Sequence, residues 1–232
     1  MQREDYPLEL RADRISKRYF RKTGESNYFF AVHPISLTLK PGTVTVLCGR
    51  SGSGKTTLLH MLAGVLQPTE GKVWLGETDI YSLPDGELSR LRNRSIGVVP
   101  QARSALDTLS TAENIILPQT MYGTEENREL TAQWMETLQI HHLADARAAS
   151  LSGGELRRMM IARTMCMQPS VILADEPTGD LDDENTALVF DCFRRAAENG
   201  AAVLIVSHEA DALKTADRAY RMDGGVITEL AL

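Results

Sequence analysis

Long apolar runs are missing from this sequence. No stretch approaches the roughly 18–20 residues that a membrane-crossing helix needs, and the longest, such as residues 201–206, have the length of a strand. The chain is therefore expected to be soluble, with any work at a membrane done through a separate subunit. The start, MQREDYPLELRADR, is polar and charged and lacks the apolar core of a secretory leader. Cysteine is scarce. Cys48, Cys166 and Cys192 form an odd set with no CxxC spacing, which excludes a disulfide framework and fits a reducing compartment. Cys48 and Cys166 stand among apolar residues and are expected to pack as small hydrophobes. A surplus of positive charge is absent as well. With 25 Lys and Arg against 31 Asp and Glu, the net charge is −6, the wrong sign for a general nucleic-acid binder. No internal repeat or low-complexity segment interrupts the chain.

What is present suffices for a large core, since 43% of the 232 residues are hydrophobic. Residues 8–40 carry short β-like runs, including 28–32 and 35–39, and a Pro41-Gly42 turn follows. Residues 44–48 form a buried strand by length and branching. A glycine-rich loop leads into a helix over 55–66, stopped by Pro68 and Gly71. Strands are expected at 72–75 and 96–99, with a basic helical piece at 88–93 between them. Residues 112–149 turn helical, and a mainly helical subdomain is placed at about 102–167. Strands at 171–174 and 202–206 then alternate with helices at 184–199 and 211–216. That alternation implies a largely parallel sheet with ligands at its carboxyl ends.

Three motifs carry chemistry. Gly49-Arg50-Ser51-Gly52-Ser53-Gly54-Lys55-Thr56, followed by Thr57, fits GxxxxGK[ST] between a strand and a helix. Glycines let successive N–H groups curl toward phosphate oxygens, and the helix start adds the positive end of its dipole. Lys55 supplies a mobile charge for the β- and γ-phosphates, and the Thr56 hydroxyl suits Mg²⁺. A glycine-rich turn without a ligand is the bland alternative. Second, the apolar strand 171–174 ends in two adjacent carboxylates. Asp175 is placed to hold hydrated Mg²⁺ and Glu176 to polarise the attacking water. Third, Leu151-Ser152-Gly153-Gly154-Glu155 opens a helix over 156–165. Ser152 and Glu155 make a capping box on their own account, but capping does not require two glycines, and the same geometry offers N–H groups to an anion.

Together with Gln101, ADEPTGDLD and His208, these motifs resemble the ATP-binding-cassette ATPases over residues 8–230. LSGGE is the motif that sets that superfamily apart from other P-loop enzymes. The stretches SGSGKTTLLHMLAG, LSRLRNRSIGVV, ENIILP, ILADEPTGDLD and RMDGGVITEL resemble more closely the lipoprotein-release and macrolide-efflux group. That group also holds cell-division and peptide-resistance cassettes. The resemblance implies one ATP-binding domain over 1–232, with a P-loop α/β core, an amino-terminal antiparallel β region and an inserted helical subdomain carrying the signature. It implies ATP and Mg²⁺ as ligands. Gln101 would contact Mg²⁺ and water, and His208 the γ-phosphate. Asp180 would lie in the loop facing a second copy, and Tyr19 would stack on adenine, with Phe20 as the alternative.

The implied partners are a second copy of the chain and a separate transmembrane permease, at the cytoplasmic face of the membrane. The implied functions are a transport motor for lipoprotein, peptide or drug export, or a mechanotransmission regulator that moves no cargo. A soluble repair or translation ATPase is a third, which lacks its usual coiled-coil insertion or second cassette here. His141-His142 has no neighbouring ligand set and is read as a solvated helix end. Arg90, Arg92 and Arg94 are read as a solvated basic face. Three departures stand out: residues 102–108 are more polar than is usual in the group, Asp180 replaces a common Asn, and Leu156-Arg157-Arg158 replaces a Gln-Arg pairing.

Overall fold

The computed structural model describes residues 8–20, 28–123 and 126–232. The amino-terminal residues 1–7 of the segment read as no leader, and residues 21–27 of the β-rich region, lie outside the described residues. In chain order the elements are β1 (Leu10–Phe20), β2 (Tyr28–Leu39), β3 (Val44–Gly49), α1 (Lys55–Leu62), β4 (Glu70–Leu75), β5 (Thr78–Asp79), α2 (Asp85–Ser95), β6 (Ile96–Val99), α3 (Thr111–Met121), α4 (Arg128–Thr137), α5 (Gly153–Met165), β7 (Val171–Asp175), α6 (Asp183–Glu198), β8 (Ala202–Val206), α7 (Ala210–Lys214), β9 (Arg218–Asp223) and β10 (Val226–Leu230). Short 3₁₀ turns occupy Ile80–Ser82, His141–Leu143 and Ala148–Ser150.

The strands form two sheets. One is antiparallel, in the order β2-β1-β4-β5. The other has six strands in the order β10-β9-β3-β8-β7-β6, parallel except for the β9–β10 hairpin. The near-continuous apolar runs of β3, β7 and β8 are explained by burial on both faces. Val44, Val46, Ile172, Ala174, Val203 and Ile205 point into one core with α5 and α6, where Met160, Phe190 and Phe193 meet them. Leu47, Leu173, Leu204 and Val206 point the other way, onto Leu58, Leu59 and Leu62 of α1 and the inner residues Leu10, Ile15, Val32 and Leu39 of the antiparallel sheet. Adjacent residues on one strand thus serve two cores, because side chains alternate across a sheet.

Several expectations shift. The helix after the glycine-rich loop ends at Leu62, not 66. Gly64 takes φ +69°, a left-handed stop that the side chains of Leu88 and Ile80 close over. The basic helix is longer, Asp85–Ser95, because Pro84 with Asp85 and Glu87 makes a favourable start. Arg90 and Arg94 are exposed, but Arg92 is half-buried and donates to the Gly64 carbonyl at 2.7 Å, so it braces α1 against α2 rather than facing water. Cys166 and Cys192 are buried, whereas Cys48 is only half-buried, beyond the last β3–β8 pair. The β9–β10 hairpin was not anticipated; it occupies the sheet edge.

Between β6 and β7 the chain is helical. Its polar segment 102–108 is held by buried Asn114 and half-buried Arg163. Asn114 accepts from the Leu106 N–H and donates to the carbonyls of Leu106, Leu109 and Ser110. Arg163 donates to the carbonyl and the hydroxyl of Ser104. Losing the Asn114 amide would strand buried polar groups. Asn114→Ala is expected to lower the unfolding free energy by about 2–3 kcal/mol, seen as a lower urea midpoint at unchanged slope.

Candidate nucleotide-binding site

The carboxyl ends of β3, β7 and β8 open into a cleft of about 1020 Å³. Its floor is the loop between β3 and α1. Gly54 is the cap residue of α1 at φ +107°, and a Cβ there would stand 2.3 Å from the Ala31 carbonyl oxygen. Only glycine fits both the dihedral and the approach. Lys55 is buried, and its Nζ donates to the carbonyls of Gly49 (2.8 Å) and Arg50 (3.0 Å). Ser53 Oγ is buried without a hydrogen-bond partner among the described residues, a cost that an oxygen-rich ligand would remove. From the far side the Gly224-Gly225 turn of the β9–β10 hairpin closes on this loop, with the Gly225 N–H donating to the Ser53 carbonyl at 3.0 Å.

The two adjacent carboxylates take different partners, for Asp175 ends β7 and Glu176 leaves the strand in a left-handed turn. Thr56 Oγ1 donates to Asp175 Oδ2 at 2.8 Å, so α1 and β7 meet through two oxygens. Burial pushes the Asp175 carboxyl pKa up, the Thr56 hydrogen bond opposes this, and neighbouring Glu176 adds to the rise. Glu176 Oε2 lies 2.9 Å from His208 Nδ1, with Glu176 largely buried and His208 exposed. Glu176 adopts φ +49°, a left-handed conformation that costs a side chain about 1–2 kcal/mol. The Thr178 hydroxyl donates to Glu209 at 2.8 Å and so ties the loop after Glu176 to the loop after His208. Tyr19, Phe29 and Phe30 line the cleft's outer end, whereas Phe20 does not. Phe20 instead meets Tyr28 edge-on, because neighbouring residues of β1 face opposite ways.

Of the expected site residues, Tyr19, Gly49, Ser51, Gly52, Ser53, Gly54, Lys55, Thr56, Thr57, Gln101, Asp175, Glu176, Asp180 and His208 share this cleft. Arg50 is exposed and does not line it. Ser152, Gly153, Gly154 and Glu155 do not line it either. Ser152 caps α5 in a full capping box: its Oγ accepts from the Glu155 N–H, and its N–H donates to Glu155 Oε2 at 2.8 Å. One of the two glycines has a packing reason, since a Cβ at Gly154 would stand 3.1 Å from Leu181, whereas one at Gly153 would make only an ordinary 3.6 Å contact with Asp180. Asp180 sits at φ +68°, a region that Asn and Asp tolerate best after glycine.

Residues 32–179 match the family model for ABC transporters. This chain belongs to the ABC transporter family. It is 37% identical over 230 residues to the lipoprotein-releasing system ATP-binding protein LolD of Granulibacter bethesdensis, covering 96% of this chain and 98% of that protein. Over 227 residues it is 33% identical to LolD of Xanthomonas campestris pv. campestris, covering 96% and 93%. Among solved structures, the dimeric bacterial ABC transporter cassette MJ0796 superposes with a TM-score of 0.87 at 27% identity, covering 96% of this chain and 99% of that one. A dimeric post-hydrolysis state of MJ0796 bound to ADP and Pi gives the same score. The chain is thus the ATP-binding and ATP-hydrolysing subunit of an ABC system.

Sequence reading of this ABC subunit missed three contributors to the cleft. Phe29 and Phe30 belong to β2, whose register against β1 brings them beside Tyr19. Gly224 and Gly225 carried a turn signal but nothing to say which loop the turn would meet. Arg157 was noted only as a departure from pattern. Its Nη1 donates to the Pro100 carbonyl (2.8 Å) and its Nη2 to the Gln101 carbonyl (2.9 Å).

The capping box also makes a pH prediction. Hydrogen bonds from the Ser152 backbone and hydroxyl hold the Glu155 pKa below its ordinary value. A depressed carboxylate stabilises the fold above its unfolded-state pKa, and that contribution fades as pH falls through the folded one. Glu155→Gln is expected to flatten the acid limb of stability against pH. Ser152→Ala is expected to cost about 1 kcal/mol at neutral pH, both read from urea unfolding between pH 7 and 3.

Proposed function

We propose that the chain is the ATP-driven motor of a lipoprotein-, peptide- or drug-export type transporter. In this reading it acts as a homodimer, held at the cytoplasmic face of the membrane by a separate permease. The observation that supports it is the incomplete cleft. The loop at residues 49–56 and the motif at residues 152–155 occur once each, and the second does not line the cleft that holds the first. A second copy would supply it, and the MJ0796 cassette is described as dimeric. LolD, the named relative, belongs to a lipoprotein-releasing system, which motivates the export class. Among the described residues no helix is long and apolar enough to cross a membrane, so a membrane role calls for a permease.

In the proposed mechanism the Tyr19 ring stacks on the adenine, a contact that favours binding without reading much base identity. The N–H groups of residues 51–57 and the start of α1 take the phosphates, and Lys55 exchanges the carbonyls of Gly49 and Arg50 for phosphate oxygens. Thr56, Asp175 and Gln101 are a hard-oxygen donor set of the kind Mg²⁺ takes, and the 2.8 Å approach of Thr56 to Asp175 fits one small cation. When bound, that ion supplies positive charge beside the β- and γ-phosphates. Glu176 accepts the proton of the attacking water as general base. His208, bonded to Glu176 Oε2, fixes that carboxylate's direction and faces the γ-phosphate. The first-turn N–H groups and the Ser152 hydroxyl of the partner copy, together with Gly153, Gly154 and Glu155, close over the nucleotide. Asp180 lies at the same junction.

Two variants separate these roles. Lys55→Ala is expected to lose Mg-ATP binding. Glu176→Gln is expected to keep Mg-ATP, lose about 100-fold or more in phosphate release, and run as a dimer in sizing with light scattering. Equal loss of binding in both variants would remove the role assignment. A strictly monomeric Glu176→Gln at saturating Mg-ATP would remove the shared site. For the partner, the tagged chain is expected to be recovered from membranes with a permease; recovery only from the soluble fraction would count against the export reading.

A further inference from the structure

We infer that Arg157 is a positioning residue that links the two nucleotide sites of a dimer. Its guanidinium fastens the Pro100 and Gln101 carbonyls to the helix whose first residues are the signature. Movement of Gln101 at a chain's own nucleotide is thereby passed to the motif it offers its partner. The inference rests on the shared-site reading above.

Arg157 lies in the second turn of α5, after Ser152, Gly153, Gly154 and Glu155, and is only 7% exposed. Its fork spans two successive main-chain carbonyls, a geometry a single ammonium cannot copy. Those carbonyls belong to the chain leaving β6, where Gln101 itself is exposed in the cleft. On a third side stands the loop after Glu176, since a Cβ at Gly179 would come within 3.9 Å of Nη2. Burial lowers the guanidinium pKa below its ordinary value, and the negative charges of Asp180, Asp175 and Glu176 oppose this in part. One side chain therefore touches or faces three segments of the cleft: the chain around Gln101, the carboxylate pair and the loop at 179–180.

The helix does not need Arg157 to stay in place. Leu156, Met159, Met160 and Ile161 are buried in the core. Thr164 donates to the Val98 carbonyl at 3.2 Å, Arg163 holds Ser104, and Arg158 donates to Asn185 on α6. These contacts fix α5 as a whole. The link at 100–101 is particular to Arg157, so its loss is expected to uncouple the sites and leave the fold intact.

The test combines Arg157→Met and Arg157→Lys with Glu176→Gln in the full chain. Monomer affinity for a fluorescent ATP analogue, thermal midpoint and Mg-ATP-driven dimerisation by sedimentation are measured for each. The expected result is a dimer dissociation constant raised about tenfold or more, the scale of losing a charge-assisted bond pair. The midpoint stays within about 3 °C, the dimer constant changes by more than analogue affinity does, and Lys rescues only partly despite keeping the charge. An unchanged dimer constant overturns the inference, as does a parallel fall of analogue affinity and thermal midpoint, which marks a merely structural arginine. Full rescue by Lys also overturns it. If Glu176→Gln with native Arg157 stays monomeric, the shared site fails first and takes the inference with it; failure of the inference alone appears only when Arg157 is changed.

Discussion

A parallel sheet buried on both faces has only its two ends open to solvent, and that constraint arranges everything else here. β3, β7 and β8 have no exposed face on which polar residues could stand. Their chemistry is therefore confined to where the chain leaves them. The loop at 49–56, Asp175 with Glu176, and His208 all follow such carboxyl ends. The single hydrogen bond from Thr56 to Asp175 then joins two of these exits into one site. The antiparallel sheet adds an aromatic wall on one side, and the β9–β10 turn braces the loop on the other.

The signature motif illustrates how one set of residues serves two demands. The capping box stabilises the start of α5 as it would that of any helix. Gly154 answers a different need, the close approach of Leu181. Its smallness lets the chain after Glu176 pack directly on the start of α5. The motif is consequently coupled to the loop after the carboxylate pair within its own chain, although it does not line that chain's own cleft.

Much of this was legible in advance. The spacing of Gly49, Gly54, Lys55 and Thr56 between a strand and a helix favours a phosphate-binding loop over a ligand-free turn, and the double carboxylate at the end of an apolar strand gains its meaning from that loop. Helix ends were less legible: α1 stops at Leu62 because Gly64 turns left-handed under Leu88 and Ile80, a contact distant in sequence. Arg92 read as a surface charge because nothing local says that the Gly64 carbonyl will meet it. Phe29 and Phe30 were invisible as site residues because strand register, not sequence neighbourhood, brings them beside Tyr19.

The sequence by itself determined the α/β class, the glycine-rich loop between a strand and a helix, the carboxylate pair at a strand's end and the single occurrence of each motif. Each is encoded in local spacing, in strand-length apolar runs, or in motifs that occur once. Tertiary structure alone decided which face of β1 meets the cleft, and so Tyr19 over Phe20. It decided that the 224–225 turn supports the loop at Ser53, and that Arg157 spans the Pro100 and Gln101 carbonyls. Those contacts join residues dozens to nearly two hundred positions apart. They depend on how two cores pack against one sheet, and no local pattern of side chains records that.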